Sequence, residues 1–276
     1  NVMSPVDSGF TLTVHGDEAL GYPVHQLWPN LIRLNSFPDG ISGPLLYGGK
    51  GEFSAFNGHD VEGSIVLMDF DSREQYLNAR MLGAQAIIFY NSGAGSVMQY
   101  QSINLHLSVP ANVPRFWVED EQAAVLLNLA KRGQSTVTLQ GTMAWKNVET
   151  WNVLARLPGS DEVMPGADDG LKWSDNTVVL SSFYDAMSVV PSVAPGAESA
   201  TGIAALLEMA RAFKNLKPKY SVQFLATSAH FNGLQGVAEF LDAHNRGDEV
   251  FLARIPEPER IPFRMFFGID LSSQQD

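Results

Sequence analysis

Short, wholly apolar runs set between turn residues constrain the fold of this chain more than any other feature. Ile65-Val66-Leu67-Met68, Ala86-Ile87-Ile88-Phe89-Tyr90 and Val178-Val179-Leu180 are each too short for a buried helix. Their lack of apolar–polar alternation predicts strands covered on both faces. Helical periodicity falls between such runs: Arg73 to Leu82, closed by Gly83-Ala84; a stretch from Glu119 to Leu129; then 200–213 and 234–244. The Glu119-Asp120-Glu121 start puts negative charge where it complements a helix dipole. Strands and helices in alternation predict an α/β protein with parallel pairing.

With 276 residues, 45% of them hydrophobic, the chain can bury a large core and hold two domains. Its 24 Gly and 15 Pro fit a loop-rich α/β protein better than a helical bundle. No apolar run approaches the length needed to cross a bilayer. No secretory leader is visible, and the start at Asn1 reads as a mature or trimmed one. The absence of cysteine excludes disulfides, thiolate metal sites and cysteine nucleophiles. A formal charge of −12 argues against a nucleic-acid partner, whose phosphates need a basic footprint, and against adsorption to anionic lipid.

Thr11 to His15 alternates like a strand and Gly21-Tyr22-Pro23 reads as a turn. Pro44 to Gly49, Ile65 to Asp69, Ala86 to Tyr90, Val113 to Val118 and Ser135 to Leu139 read as further strands. The segments Tyr47-Gly48-Gly49-Lys50-Gly51, Val61-Glu62-Gly63-Ser64-Ile65-Val66-Leu67, Gly83-Ala84-Gln85-Ala86-Ile87-Ile88-Phe89-Tyr90 and Val113-Pro114, in that order, resemble a protease-associated (PA) domain over residues 41–145. The resemblance implies a β-rich α/β unit that serves as a lid or interaction surface and holds no catalytic residue. Residues 1–40 are expected to pack on the second domain, residues 146–276, and not on this one.

That second domain, residues 146–276, opens with Asn152-Val153-Leu154-Ala155-Arg156-Leu157-Pro158-Gly159 and continues through strands at 177–180, 221–226 and 264–270. In such sheets the functional crevice lies beyond the C-terminal strand ends, where Asp185, Glu198, His230 and Asp270 all fall. The series Ser181-Ser182-Phe183-Tyr184-Asp185, Glu198-Ser199-Ala200-Thr201-Gly202, Ser228-Ala229-His230-Phe231-Asn232-Gly233-Leu234-Gln235-Gly236 and Gly268-Ile269-Asp270 resembles the metal-site core of the zinc aminopeptidase, transferrin-receptor and nicastrin-like superfamily. The resemblance implies a mostly parallel three-layer α/β/α domain with two zinc ions bridged by a carboxylate and a glutamate as general base. It also implies further strands, and a last histidine ligand, beyond Asp276.

Carried over residue by residue, the resemblance puts Phe183 at the first histidine ligand and leaves Asp185 to orient an imidazole that is missing. Glu198 stands at the bridging aspartate, His230 at the general base, Phe231 at the following ligand, and Asp270 at a retained carboxylate ligand. A phenyl ring beside a divalent cation leaves charge uncompensated in a low-dielectric cleft. No zinc is therefore expected, and the chain reads as a degenerate, non-catalytic ectodomain that binds a protein or peptide, as in a membrane-protein complex, at an extracytoplasmic location. The alternative is a zinc aminopeptidase with an atypical or single-metal site of Glu198, His230 and Asp270. A third reading is a calcium- or carbohydrate-binding module on the acidic loop 161–176, which includes Asp168 and Asp169.

Plain structural roles stand beside these. His230 reads as a hydrogen-bonded structural histidine, Glu198 as helix-start charge, Asp270 as a cap at a strand end, and Phe183 and Phe231 as apolar filling. Arg246-Gly247-Asp248 reads as a helix-ending turn, and His15, His25, His59 and His106 lack ligand-like spacing. No Gly-x-Gly-x-x-Gly, Walker loop or Gly-x-Ser-x-Gly elbow competes. Ile203, Leu206, Leu207, Ala210 and Phe213 are expected on the sheet-facing side of their helix.

Overall fold

The computed structural model describes residues 1–16, 19–92, 112–167, 170–194, 196–244 and 263–271, with only the backbone of 193 and 196–199. Asp168, Asp169, His106 and the Arg246-Gly247-Asp248 turn lie outside the described residues. The chain forms two compact units. One comprises Met3–Lys146 with Ser188–Ala194, and the other takes Asn1–Val2, Asn147–Met187 and the described residues from 196 onward.

The first unit is a closed seven-stranded barrel. Its strands are β1 (Val2–Val14), β2 (Leu20–Gln26), β3 (Phe37–Tyr47), β4 (Ile65–Asp69), β5 (Ala86–Tyr90), β6 (Arg115–Trp117) and β7 (Thr136–Val148), in the order β1-β2-β6-β5-β4-β3-β7. Strands β3 to β6 run parallel to one another, and the remaining pairings described, β1–β2, β2–β6 and β3–β7, are antiparallel. The continuous apolar runs are explained by burial on both faces. Ile65, Leu67, Ala86 and Ile88 join one core with Ala123, Leu126 and Ala130 of helix α2 (Asp120–Arg132). Val66, Met68, Ile87 and Phe89 join a second with Phe70, Tyr76 and Ala79.

Three expectations are corrected in this unit. Residues 3–40 belong to the barrel: β1 and β2 pair with each other and β2 continues onto β6, so their backbone hydrogen bonds are satisfied within it. Gly21-Tyr22-Pro23 is not a turn but the middle of β2, opposite Thr13, Leu12 and Thr11, because long-range pairing overrides local turn propensity. The helix expected over 73–82 is only α1 (Tyr76–Met81), since Arg73, within the preceding 3-10 segment Phe70–Gln75, has φ 50° and ψ −128° and breaks the helical path before Tyr76.

The second unit is a four-stranded sheet of β8 (Val153–Leu157), β9 (Thr177–Phe183), β10 (Ser221–Thr227) and β11 (Phe263–Gly268), ordered β11-β9-β10-β8. Only β8 is antiparallel to its neighbour. Period-2 alternation in β10 sends Val222 and Phe224 to one face and Leu225 to the other. The first face packs on Ile203, Leu206, Ala210 and Phe213 of α3 (Gly196–Phe213), and the second on Phe240 of α4 (Gln235–His244). A three-layer sandwich results. Leu207 departs from the expected stripe and is 63% exposed.

Candidate functional site

The parallel register of β9 and β10 brings Phe183 opposite Thr227, so the two strands end level. Tyr184 extends the ladder by one bond, its N–H donating to Thr227 O at 3.0 Å. The chain then leaves β10 through a tight turn in which Ala229 (φ 54°) and Leu234 (φ 58°) take left-handed backbone conformations. Leu234 N–H donates to His230 O at 2.9 Å and Gln235 N–H to Ala229 O at 3.1 Å, fixing the turn before α4 starts. Left-handed φ at non-glycine residues costs energy and persists where surrounding contacts over-determine it.

This turn lays the His230 ring on the Phe183 ring, with centroids 3.9 Å apart and planes 25° from parallel. Phe231 stands edge-on to both, at 5.6 Å from Phe183 and 5.0 Å from His230. Phe231 remains 39% exposed, so the cluster has one open apolar side. Asp185 holds the backbone of the same turn: its Oδ2 accepts the His230 N–H at 2.9 Å. Its Oδ1 is buried and has no hydrogen-bond partner among the described residues.

Helix α3 meets the same strand ends through Gly202. A Cβ there would lie 2.6 Å from Ser182 Oγ and 2.8 Å from Ile269 O, so only glycine allows this approach. That contact puts the first turn of α3, where the backbone carries Glu198, toward the ends of β9 and β11. Ile269 N–H donates to Ser181 O at 2.7 Å, and Asp270 follows it, exposed at the end of β11. The structure therefore brings Phe183, Asp185, His230 and Phe231 into one cluster, with Asp270 at the neighbouring strand end.

Two contributors were not anticipated. Asn152 straps the turn, its Nδ2 donating to Gly236 O at 2.8 Å and its Oδ1 accepting Ser228 N–H at 3.4 Å. The only sequence signal was its place just before an apolar strand. Tyr184, 43% exposed, donates its hydroxyl to Trp151 O at 2.5 Å. A polar cleft of about 200 Å³ opens beside Asn152, Ser228, Gln235 and Glu239.

The described side chains do not fit a pair of zinc ions. Phe183 and Phe231 carry no donor atom, and one oxygen of Asp185 is committed to a backbone N–H. Among the described residues no three His, Asp or Glu side chains converge as a metal-holding group.

Comparison with known proteins places both units. Residues 41–126 match the PA domain and residues 152–270 match Peptidase family M28. Nicalin of Caenorhabditis elegans is 30% identical over 103 residues, 35% of this chain and 16% of that protein. Aminopeptidase YwaD of Bacillus subtilis is 24% identical over 207 residues, 74% of this chain and 40% of that one. The chain thus spans well under half the length of these curated relatives. A zinc aminopeptidase from Bacillus subtilis superposes with a TM-score of 0.51 at 19% identity, covering 97% of this chain and 58% of its own. A peptidase M28 precursor from Shewanella amazonensis gives 0.51 at 14% identity, covering 88% and 57%. These structural likenesses speak to the fold alone. Two sequence matches in tandem and a shared three-layer fold agree: residues 41–126 are similar to the PA domain, and residues 152–270 are similar to the zinc exopeptidases of Peptidase family M28.

Proposed function

We propose that this chain is a non-catalytic, peptidase-like binding module that holds a protein or peptide partner at the strand ends around Phe183, His230 and Phe231. The observation that carries this reading is the ring stack. Phe183 lies 3.9 Å from His230 with Phe231 edge-on, at positions the family resemblance gives to a ligand, a base and a second ligand. A hydrolytic centre needs donors that hold a metal and a base free to take a proton from water. Here the two phenyl rings supply neither, and the imidazole is covered on one face. The open side of Phe231, on the turn whose flanking residues Ala229 and Gln235 line the polar cleft, suits an extended peptide with one apolar anchor. The superfamily resemblance supports an extracytoplasmic module in a larger complex.

The test uses the full chain purified without chelator, with bound zinc quantified and hydrolysis of aminoacyl-nitroanilides measured. Substoichiometric zinc and no turnover support the binding role. Stoichiometric zinc, with turnover abolished in Asp270→Ala, replaces it with a zinc aminopeptidase whose site is formed by Glu198, His230 and Asp270. Similarity to YwaD across 74% of the chain makes that second outcome worth the assay.

A further inference from the structure

Outside the candidate site, the first unit holds an exposed Asn-Gly pair in a turn closed by a single hydrogen bond across it. The chain contains two such pairs, Asn57-Gly58 and Asn232-Gly233. In Asn-Gly the backbone nitrogen after the asparagine has no neighbouring Cβ to shield it, so it can reach the side-chain carbonyl carbon. Asn57 (φ −60°, ψ 125°) and Gly58 (φ 80°) are the central residues of a type II turn closed by His59 N–H to Phe56 O at 3.1 Å. Both are exposed, and a Cβ on Gly58 would meet nothing within 4 Å. Gly58 N–H donates to no described residue.

We propose that Asn57 is a self-modification site that converts to aspartate and isoaspartate. The deprotonated Gly58 nitrogen attacks Cγ of Asn57. A new N–Cγ bond forms, the Cγ–Nδ2 bond breaks, and ammonia leaves with the proton. Water then opens the succinimide at either carbonyl, leaving one new carboxylate and, in the isoaspartate product, an extra methylene in the main chain. The ψ rotation required for attack breaks only the one turn hydrogen bond. The new charge adds to exposed Asp60 and Glu62 nearby in sequence, and the lengthened backbone destroys the turn.

Asn232 is the internal comparison. It is half-buried where Asn57 is exposed. Both donate their own N–H at 3.3 Å, Asn57 to Ser54 O and Asn232 to Ala229 O, but two bonds, from Leu234 to His230 and from Gln235 to Ala229, close over Asn232 where only the His59 to Phe56 bond closes over Asn57. The full chain is incubated in mildly alkaline buffer, alone and unfolded in urea, and followed by peptide mapping that resolves aspartate from isoaspartate. Asn57 in the folded chain is expected to convert no more than about tenfold slower than in the unfolded chain, the factor that one net hydrogen bond supplies. Asn232 is expected to lag Asn57 in the fold and to match it in urea. Asn57→Gln should abolish the product while leaving the unfolding transition in place. Conversion of Asn232 ahead of Asn57 in the folded chain, or an intact Asn57 after the unfolded control has converted, overturns the proposal.

Discussion

Asp185 offers the sharpest test of how the turn after β10 is held. Two effects of Asp185→Ala compete. It breaks a charge-assisted bond and leaves the His230 N–H without its acceptor, together a loss of about 1.5–3 kcal/mol. It also relieves an unpaired Oδ1, worth about 1 kcal/mol in a residue that is only half-buried. The balance is about 1–2 kcal/mol of destabilisation. Asp185→Asn keeps a neutral acceptor and removes the buried charge, so it should stay within about 1 kcal/mol of the parent. In urea, a loss near 2 kcal/mol moves the midpoint down by about 1 M for a typical slope. Hydrogen exchange at the His230 amide should quicken in Asp185→Ala and change little in Asp185→Asn. An Asp185→Ala chain as stable as the parent would refute the clamp. An Asp185→Asn chain as damaged as Asp185→Ala would show that the charge matters for something other than this bond.

Other perturbations read separate parts of the structure. Gly202→Ala drives a methyl into Ser182 Oγ and Ile269 O and should cost about 1–3 kcal/mol, seen as a lower thermal midpoint; an unchanged midpoint would mean that α3 is free to slide away from the strand ends. Arg115 is 3% exposed, with its Nη2 donating to Trp28 O at 3.3 Å, its Nη1 unpartnered among the described residues, and its guanidinium pulled down by burial. Arg115→Met should therefore be neutral or stabilising by about 1–3 kcal/mol in urea, and a marked loss would point to a hidden anion beside it. Burial lowers the His244 imidazole below its ordinary value of 6.5 in the folded chain. The unfolded chain then takes up the proton first, so stability is full above pH 6.5 and falls as pH drops from there through the lowered folded value. His244→Gln should flatten that acid-side slope, and an unaltered slope would assign it to other groups.

The sequence made legible what depends on local period and on spacing along the chain. Buried strands at 65–69 and 86–90, and the strand–turn–helix frame that sets Phe183, His230 and Phe231 at neighbouring strand ends, all lie where apolar runs and glycines put them. The part that stayed hidden depends on partners far apart. Asp185 reads in sequence as a residue that has lost its imidazole, yet it holds the backbone of His230, 45 positions away. No pattern around either residue encodes that bond, because a main-chain N–H has no residue identity. Pro23 inside β2 was hidden for the same reason: its strand exists only because β1 and β6 flank it.

Domain boundaries show where reasoning along the chain stops working. Sequence matches divide the protein cleanly between 126 and 152, yet Ser188–Ala194, deep in the M28 segment, belongs to the barrel unit. Val189 and Val190 are buried at 2% and 0% exposure in the barrel's second core, beside Leu27, Tyr76 and Trp117. Trp28 N–H donates to Val189 O at 2.6 Å, and Ser192 Oγ lies 2.9 Å from His25 Nδ1. Two buried valines are worth about 3–6 kcal/mol of apolar burial before the entropy of ordering the segment is charged against them. That is comparable with the whole net stability of a typical domain. The barrel therefore depends on residues that any contiguous cut would assign to the other unit. A chain ending at Lys146 should lose part of its core packing, and adding a peptide of 188–194 should restore some of the lost thermal midpoint. A barrel equally stable with and without that peptide would mean that the two valines fill space the core closes by itself.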